Sequence, residues 1–164
     1  MHSSTDHKTT AVNNRLSRVF RERRADDKLM NLFVTAGFPD KHATVPLIKE
    51  LDQNGADIIE LGMPYSDPLA DGPTIQQASE QALKGGMTLD GIFDIVAEIR
   101  QESDIPIVLM GYINPVLHYG IQAFCERAAE VGVDGLIIPD IPPEEAHIIQ
   151  EDARRNGLAL VYLV

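Results

Sequence analysis

The segment "GADIIELGMPYSDPLADGPTIQQA", residues 55–78, contains the pattern that decides the fold. A short apolar run ends in Glu60, and a loop rich in glycine, proline and aspartate follows it. Pro73 then stands where a helix can begin, because the first helical position loses nothing by lacking an N–H group. The segment therefore predicts one strand–loop–helix unit, with its strand buried on both faces.

The same alternation of strand and helix extends over the rest of the chain. Apolar runs predict strands at 29–37, 57–62, 105–111, 134–140 and 158–164. Apolar spacing of three and four residues predicts helices at 13–24, 42–55, 74–86, 89–101, 121–132 and 142–157. Short apolar strands that alternate with helices are typical of a parallel sheet with helices on its faces.

Two α/β architectures fit this pattern, a doubly wound open sheet and a (β/α)₈ TIM barrel. A dinucleotide-binding sheet should carry G-x-G-x-x-G after its first strand, but "TAGFPD" at 35–40 does not supply it, and the chain has no Walker A motif. This favours the barrel. A barrel runs to about 250 residues, so the 164 residues predict an incomplete one with about five parallel strands. We expect a mobile N-terminal tail at 1–11 and a partial barrel domain at 12–164.

Composition narrows the classes of partner. The net charge of −11 argues against a nucleic-acid backbone or an anionic membrane, and no apolar run is long enough to span a bilayer. The single cysteine, Cys125, excludes an internal disulfide and fits a reducing cytoplasm. Cys125 lies in a predicted helix, where a buried structural thiol is expected.

Polar residues collect where the predicted strands end, at Glu60, Asn114 and Asp140. In both architectures ligands bind at that edge. A carboxyl group buried at an apolar strand end can exchange a proton near neutral pH. Glu60 can instead point into solvent as its strand ends, or pair with a lysine of the barrel. Asn114 and Asp140 can be turn residues before prolines.

The loop after Glu60 adds Asp67 and Asp71. Asp67 is an ordinary turn residue, and Asp71 could cap the helix that begins near Pro73. The three acids could also bind Mg²⁺, but nothing else in the chain completes such a site, and the five histidines lack metal-ligand spacing. No metal is therefore expected.

Four segments together resemble the tryptophan synthase α chain family: "LFVTAGFPD", "GADIIELGMPYSDPLADGPTIQQA", "PIVLMGYINPV" and "GVDGLIIPDIPPEE". The resemblance extends over 15–164. It implies a (β/α)₈ barrel and a lyase that cleaves indole-3-glycerol phosphate to indole and glyceraldehyde 3-phosphate in tryptophan biosynthesis. It also implies an αββα heterotetramer with a β chain, which carries pyridoxal phosphate, while the α chain needs no cofactor.

The resemblance assigns a role to individual residues. Glu60 matches the family's general acid/base, and Asp71 matches its second catalytic carboxylate. Three further residues match positions at or near the substrate, namely Phe33, Tyr112 and Asp140. Pro64 and Asp67 match the loop that responds to the β chain.

The chain departs from the family in length, since the last three strands and the loops that bind phosphate are not among its residues. We therefore expect the 164-residue polypeptide alone to be inactive or nearly so. Two alternatives stay open: a non-catalytic module that activates the β chain, and another phosphosugar-binding barrel enzyme. The latter would need a strand-end lysine, and no lysine follows Lys84.

Overall fold

A computed structural model describes residues 12–163. Its one sheet has five parallel strands in chain order: β1 (Asn31–Thr35), β2 (Ile58–Gly62), β3 (Ile107–Met110), β4 (Gly135–Ile137) and β5 (Ala159–Val161). The α-helices are α1 (Arg15–Glu22), α2 (Thr44–Gln53), α3 (Pro73–Lys84), α4 (Leu89–Ile99), α5 (Ile113–Tyr119), α6 (Ile121–Val131) and α7 (His147–Arg155), and a 3₁₀ helix spans Pro143–Glu145.

The strand order separates the two architectures. A doubly wound sheet reverses direction at a switch point, whereas here every strand pairs with the next one in the chain. Consecutive parallel strands in one direction are the arrangement of a (β/α)₈ barrel. The predicted fold class is confirmed, as five strands of such a barrel.

The three central strands, β2 to β4, are largely buried on both faces, whereas β1 and β5 are partly exposed. Alternate residues of a strand contact different layers. Ile59, Leu61 and Leu109 pack in the large core under the helices. Ile58 and Val108, one position away on the same strands, pack on the opposite, inner face. This period of two places Glu60 on the inner face, since it lies two residues after Ile58.

Helix α1 closes the amino edge of this inner face. Its Leu16 is 6% exposed and packs against the inner residues of β2, β3 and β4. Its N-cap, Asn14, donates hydrogen bonds to the main-chain carbonyls of Asp134 (2.6 Å) and Gly157 (3.0 Å), which precede β4 and β5. Ligands can therefore approach the inner face from the carboxyl edge of the strands.

The carboxylate of Asp134 stabilises the same amino edge through salt bridges. Its side chain is 1% exposed and accepts from Arg100 at 2.9 Å, from Arg15 at 3.3 Å and from the N–H of Ile107. Desolvation lowers the pKa of Arg100 to about 10, against the attraction of Asp134. The three charges join α1, the residue after α4 and the residue before β4.

Several predicted details were wrong. Glu60 is the third of five residues in β2, so it lies inside the strand rather than at its end. The apolar spacing also predicts Leu47 on the same apolar stripe of α2 as Val45 and Ile48, but Leu47 is 40% exposed. Helix α5 was not predicted, and the predicted helix at 142–157 is divided into the 3₁₀ turn and α7. Pro73 does open α3, while the predicted tail at 1–11 lies outside the described residues.

No helix among the described residues 12–163 has the length and apolar character needed to cross a membrane.

Candidate functional site at the carboxyl edge

Glu60 reaches the inner face from the middle of β2. It is half-buried and pairs in register with Phe33 on one side and Val108 on the other. Its carboxylate accepts a hydrogen bond from the side-chain amide of Asn31, the first residue of β1. Glu60 therefore does not simply point into solvent, as one sequence interpretation allowed.

Asp71 lies on the loop between β2 and α3, beyond the carboxyl edge. The N-cap of α3 is Gly72, and no side chain caps this helix. The carboxylate of Asp71 is thus not used for capping, which removes the ordinary explanation for an acid at this position. Asp71 is half-buried, and burial raises the pKa of its carboxyl group, while a hydrogen bond from Tyr112 opposes that rise.

Tyr112 connects the end of β3 to this loop. The residue is 6% exposed, and its hydroxyl accepts a hydrogen bond from the N–H of Ala70 at 2.8 Å while interacting with the Asp71 carboxylate. Burial raises the pKa of the Tyr112 phenol, so the hydroxyl stays protonated and able to donate. Tyr112 therefore contacts the loop at two neighbouring residues, through the N–H of Ala70 and the carboxylate of Asp71.

A second contact ties the two loops together. The side-chain amide of Asn114 donates to the hydroxyl of Tyr65 at 3.0 Å, and the Tyr65 ring lies 5.2 Å from the Tyr112 ring. Asn114 is part of the first helical turn of α5, whereas the sequence also allowed an isolated turn before Pro115. Its side chain is used to hold the loop after β2.

Asp140 is exposed and follows β4. Its carboxylate accepts from the N–H of Ile113, with oxygen distances of 3.0 and 3.3 Å. A carboxylate at a helix N-terminus is favourable because it satisfies a free N–H and faces the positive end of the helix dipole. Asp140 thus fixes the start of α5, directly after Tyr112.

Phe33 supplies the aromatic surface of the site. Its ring lies over Gly62, where an added Cβ would be 2.5 Å from the ring edge. Glycine is therefore needed at position 62 to leave room for the ring. A small cavity at the carboxyl edge is lined by Phe33, Gly62, Asp71, Tyr112 and Pro139, among others.

Pro64 and Asp67 lie on the part of the loop that faces outward. Pro64 is half-buried. The exposed Asp67 carboxylate accepts only from the neighbouring Ser66 hydroxyl, at 2.8 Å, within the part of the chain that the structure describes. Leu69, two residues later, is 95% exposed. Asp67 is thus not brought to the cavity that Asp71 lines.

Other reactive groups are not part of this edge. Burial raises the pKa of the Cys125 thiol to about 12, as expected of a structural cysteine. In the described range 12–163, no three His, Cys, Asp or Glu side chains lie close enough together to hold a metal ion.

Sequence reasoning missed two residues at the site, Asn31 and Tyr65. Asn31 could have been found from the sequence. It is a polar residue in the apolar run "LMNLFV" and lies two positions before Phe33, so both side chains face the same side of the strand. Tyr65 carries no such signal, since its contact with Asn114 depends on how two loops fold together.

Five parallel strands in chain order, with acidic and aromatic side chains at their carboxyl edge, define a protein of the (β/α)₈ barrel class. The family model described as tryptophan synthase alpha chain matches residues 20–164. The chain belongs to the tryptophan synthase alpha chain family.

Individual relatives agree with this assignment. The tryptophan synthase alpha chain of Flavobacterium johnsoniae is 50% identical over 150 residues, which are 91% of this chain and 59% of that protein. A crystal structure of tryptophan synthase subunit alpha from Legionella pneumophila is similar with a TM-score of 0.90 and 39% identity, over 93% of this chain and 59% of that one. A structure described as the tryptophan synthase a2b2 complex from Pyrococcus furiosus is 44% identical with a TM-score of 0.78, over 83% and 57%.

The chain thus spans less than two thirds of the length of these relatives.

Proposed function

We propose that the chain is the acid/base part of a carbon–carbon lyase that cleaves indole-3-glycerol phosphate to indole and glyceraldehyde 3-phosphate. The observation that carries the proposal is Asp71: a half-buried carboxylate free of capping, on a loop that Tyr112 holds through the Ala70 N–H, beside a small cavity lined by Phe33 and Tyr112. Family membership supports the reaction, and the inner-face position of Glu60 supports a second acid/base group.

The reaction needs two proton-transfer groups. The bond from indole C3 to the side chain breaks readily only after C3 is protonated, and the adjacent hydroxyl must lose its proton as the aldehyde forms. Glu60 is the group for both of these protons, giving one to C3 and taking one from the hydroxyl. Asp71 accepts or stabilises the proton of the ring nitrogen. Each positioned group contributes about 10²–10⁴-fold to the rate.

The remaining residues bind or orient the substrate. Phe33 offers a ring face to the indole, and the Tyr112 ring is close to the same cavity. Asp140 acts through the start of α5. In such barrels the phosphate is bound by loops after strands 7 and 8, so the 164-residue polypeptide alone should bind substrate weakly and cleave it slowly or not at all.

The partner in this proposal is the tryptophan synthase β chain, in an αββα assembly located in the cytoplasm. Pyridoxal phosphate belongs to that β chain, and no cofactor is required for the α reaction. The surface that contacts the β chain in this proposal is the outer part of the β2–α3 loop, with Pro64, Asp67 and the exposed Leu69.

Indole release tests the proposal. The assay uses enzyme in excess over indole-3-glycerol phosphate, so that a single slow turnover is detected, with and without β chain. With β chain present, we expect wild type to release indole slowly and both Glu60→Gln and Asp71→Asn to lower that rate at least a hundredfold. Glu144→Gln, an exposed acid in the 3₁₀ turn, is the matched control and should leave the rate unchanged.

Each outcome separates the alternatives. Activation of the β chain that survives Glu60→Gln, with no indole release from any form, would support a non-catalytic module. A full kcat/KM for the purified 164-residue polypeptide would show that the phosphate loops are not needed.

A further inference from the structure

The carboxylate of Glu60 is held by one partner. Asn31 pairs in register with Ile58, two positions before Glu60, so its amide reaches Glu60 diagonally across β1 and β2. Within residues 12–163, no other side chain or main-chain N–H donates to this carboxylate, and no cation pairs with it. Its position therefore depends on Asn31.

The neighbouring space toward the carboxyl edge is occupied. The Phe33 ring lies over Gly62, the next inner-face residue after Glu60 on β2. Glu60 is also absent from the lining of the cavity that includes Asp71. The Phe33 ring and the Asn31 amide thus lie on either side of the Glu60 carboxylate along the inner face.

We propose that Asn31 is the positioning residue for Glu60 in the lyase reaction, an inference that rests on the proposed function. An asparagine side chain suits this role because it carries both a donor and an acceptor. Its NH₂ donates to an ionised carboxylate, and its carbonyl oxygen accepts from a protonated carboxyl group. Glu60 passes through both states in one turnover, since it gives a proton to C3 and takes one from the hydroxyl. Asn31 retains a hydrogen bond to Glu60 in each state.

The contact itself is tested without substrate. The side-chain amide protons of Asn31 are followed by ¹H–¹⁵N NMR in wild type and in Glu60→Gln. We expect Glu60→Gln to shift the Asn31 resonances. The control is Glu50→Gln, because Glu50 accepts from the amide of Asn54 at 3.0 Å in an equivalent surface pair. That change should shift Asn54 alone, and unshifted Asn31 resonances in Glu60→Gln would overturn the proposal.

Kinetics test the positioning role. Asn31→Leu keeps a similar volume without donor or acceptor, and we expect roughly a three- to tenfold lower kcat for indole release, with KM changed less than twofold. Asn31→Gln restores both groups and should recover part of the rate, whereas Asn54→Leu should leave kcat unchanged.

The two proposals fail in different ways. Indole release that is lost in Glu60→Gln but normal in Asn31→Leu would overturn the role of Asn31 and leave the lyase intact. No indole release from wild type with β chain present would overturn the lyase and, with it, the role of Asn31. A raised KM with normal kcat in Asn31→Leu would assign Asn31 to substrate binding instead.

Discussion

Replacing Tyr112 with phenylalanine should raise the pKa of Asp71. Burial already raises this pKa, and the Tyr112 hydroxyl opposes the rise by donating to the ionised carboxylate. Without the hydroxyl the desolvation is unopposed, so Asp71 needs a higher pH to ionise. The ring remains, because Tyr112 is 6% exposed and phenylalanine fills the same volume.

The energetic consequence depends on pH. A hydrogen bond to a partly exposed carboxylate contributes about 0.5–1 kcal/mol. The hydroxyl stabilises only the ionised form of Asp71. At pH values above the titration range of Asp71, the free energy of unfolding of Tyr112→Phe should therefore be lower than that of wild type by about that amount. At pH values below this range the difference should be smaller. The acidic limb of the pH–rate profile for indole release should move to higher pH.

The measurement is a ¹³C NMR titration of the Asp71 carboxyl carbon, combined with urea unfolding at two pH values. Tyr119→Phe is the matched control, since the Tyr119 hydroxyl donates to the exposed Asp90 at 2.9 Å, far from the loop. An Asp71 titration that is unchanged, or that moves to lower pH in Tyr112→Phe, would refute the role assigned to this hydroxyl.

Three further predictions concern the scaffold. The Cys125 thiol, whose pKa burial raises to about 12, should resist maleimide in the native protein and react after unfolding in urea; fast native labelling would contradict its burial. Asp134→Asn should lower the free energy of unfolding by about 3 kcal/mol because its buried arginine partner loses its counter-charge. The exposed Asp104→Asn should change the free energy of unfolding far less, because water screens its pair with Arg15. Equal losses in urea unfolding for the two variants would contradict this dependence on burial. Gly62→Ala should displace the Phe33 ring and cost about 1–3 kcal/mol in the same assay; an unchanged ring position in a crystal structure of the variant would contradict this steric account.

The fold was largely predictable because its elements depend on local pattern. Apolar runs located all five strands, and Pro73 located the start of α3. Helix α5 was missed because Pro115 resembles a turn residue, although a proline in the first helical turn lacks only an N–H that has no partner there. The bounds of elements near prolines are thus the least predictable part of this fold.

The site was predictable in its residue types but not in its contacts. Family resemblance named Glu60, Asp71 and Tyr112, whose catalytic and binding roles stay predictions. The bond from Ala70 to Tyr112 joins residues 42 positions apart, and the one from Asn31 to Glu60 joins residues 29 apart. Such contacts arise only when separate βα units pack together, so no local pattern contains them.

The closure of the amino edge by α1 has a consequence for the order of folding. Asn14 bonds to the carbonyls of residues 120 and 143 positions further along the chain. Helix α1 therefore cannot dock fully until β4 and the turn before β5 exist, and closing so long a loop is slow. During synthesis Leu16 lacks its packing partner Ile137 until β4 has been made, so α1 stays available to chaperones over that interval.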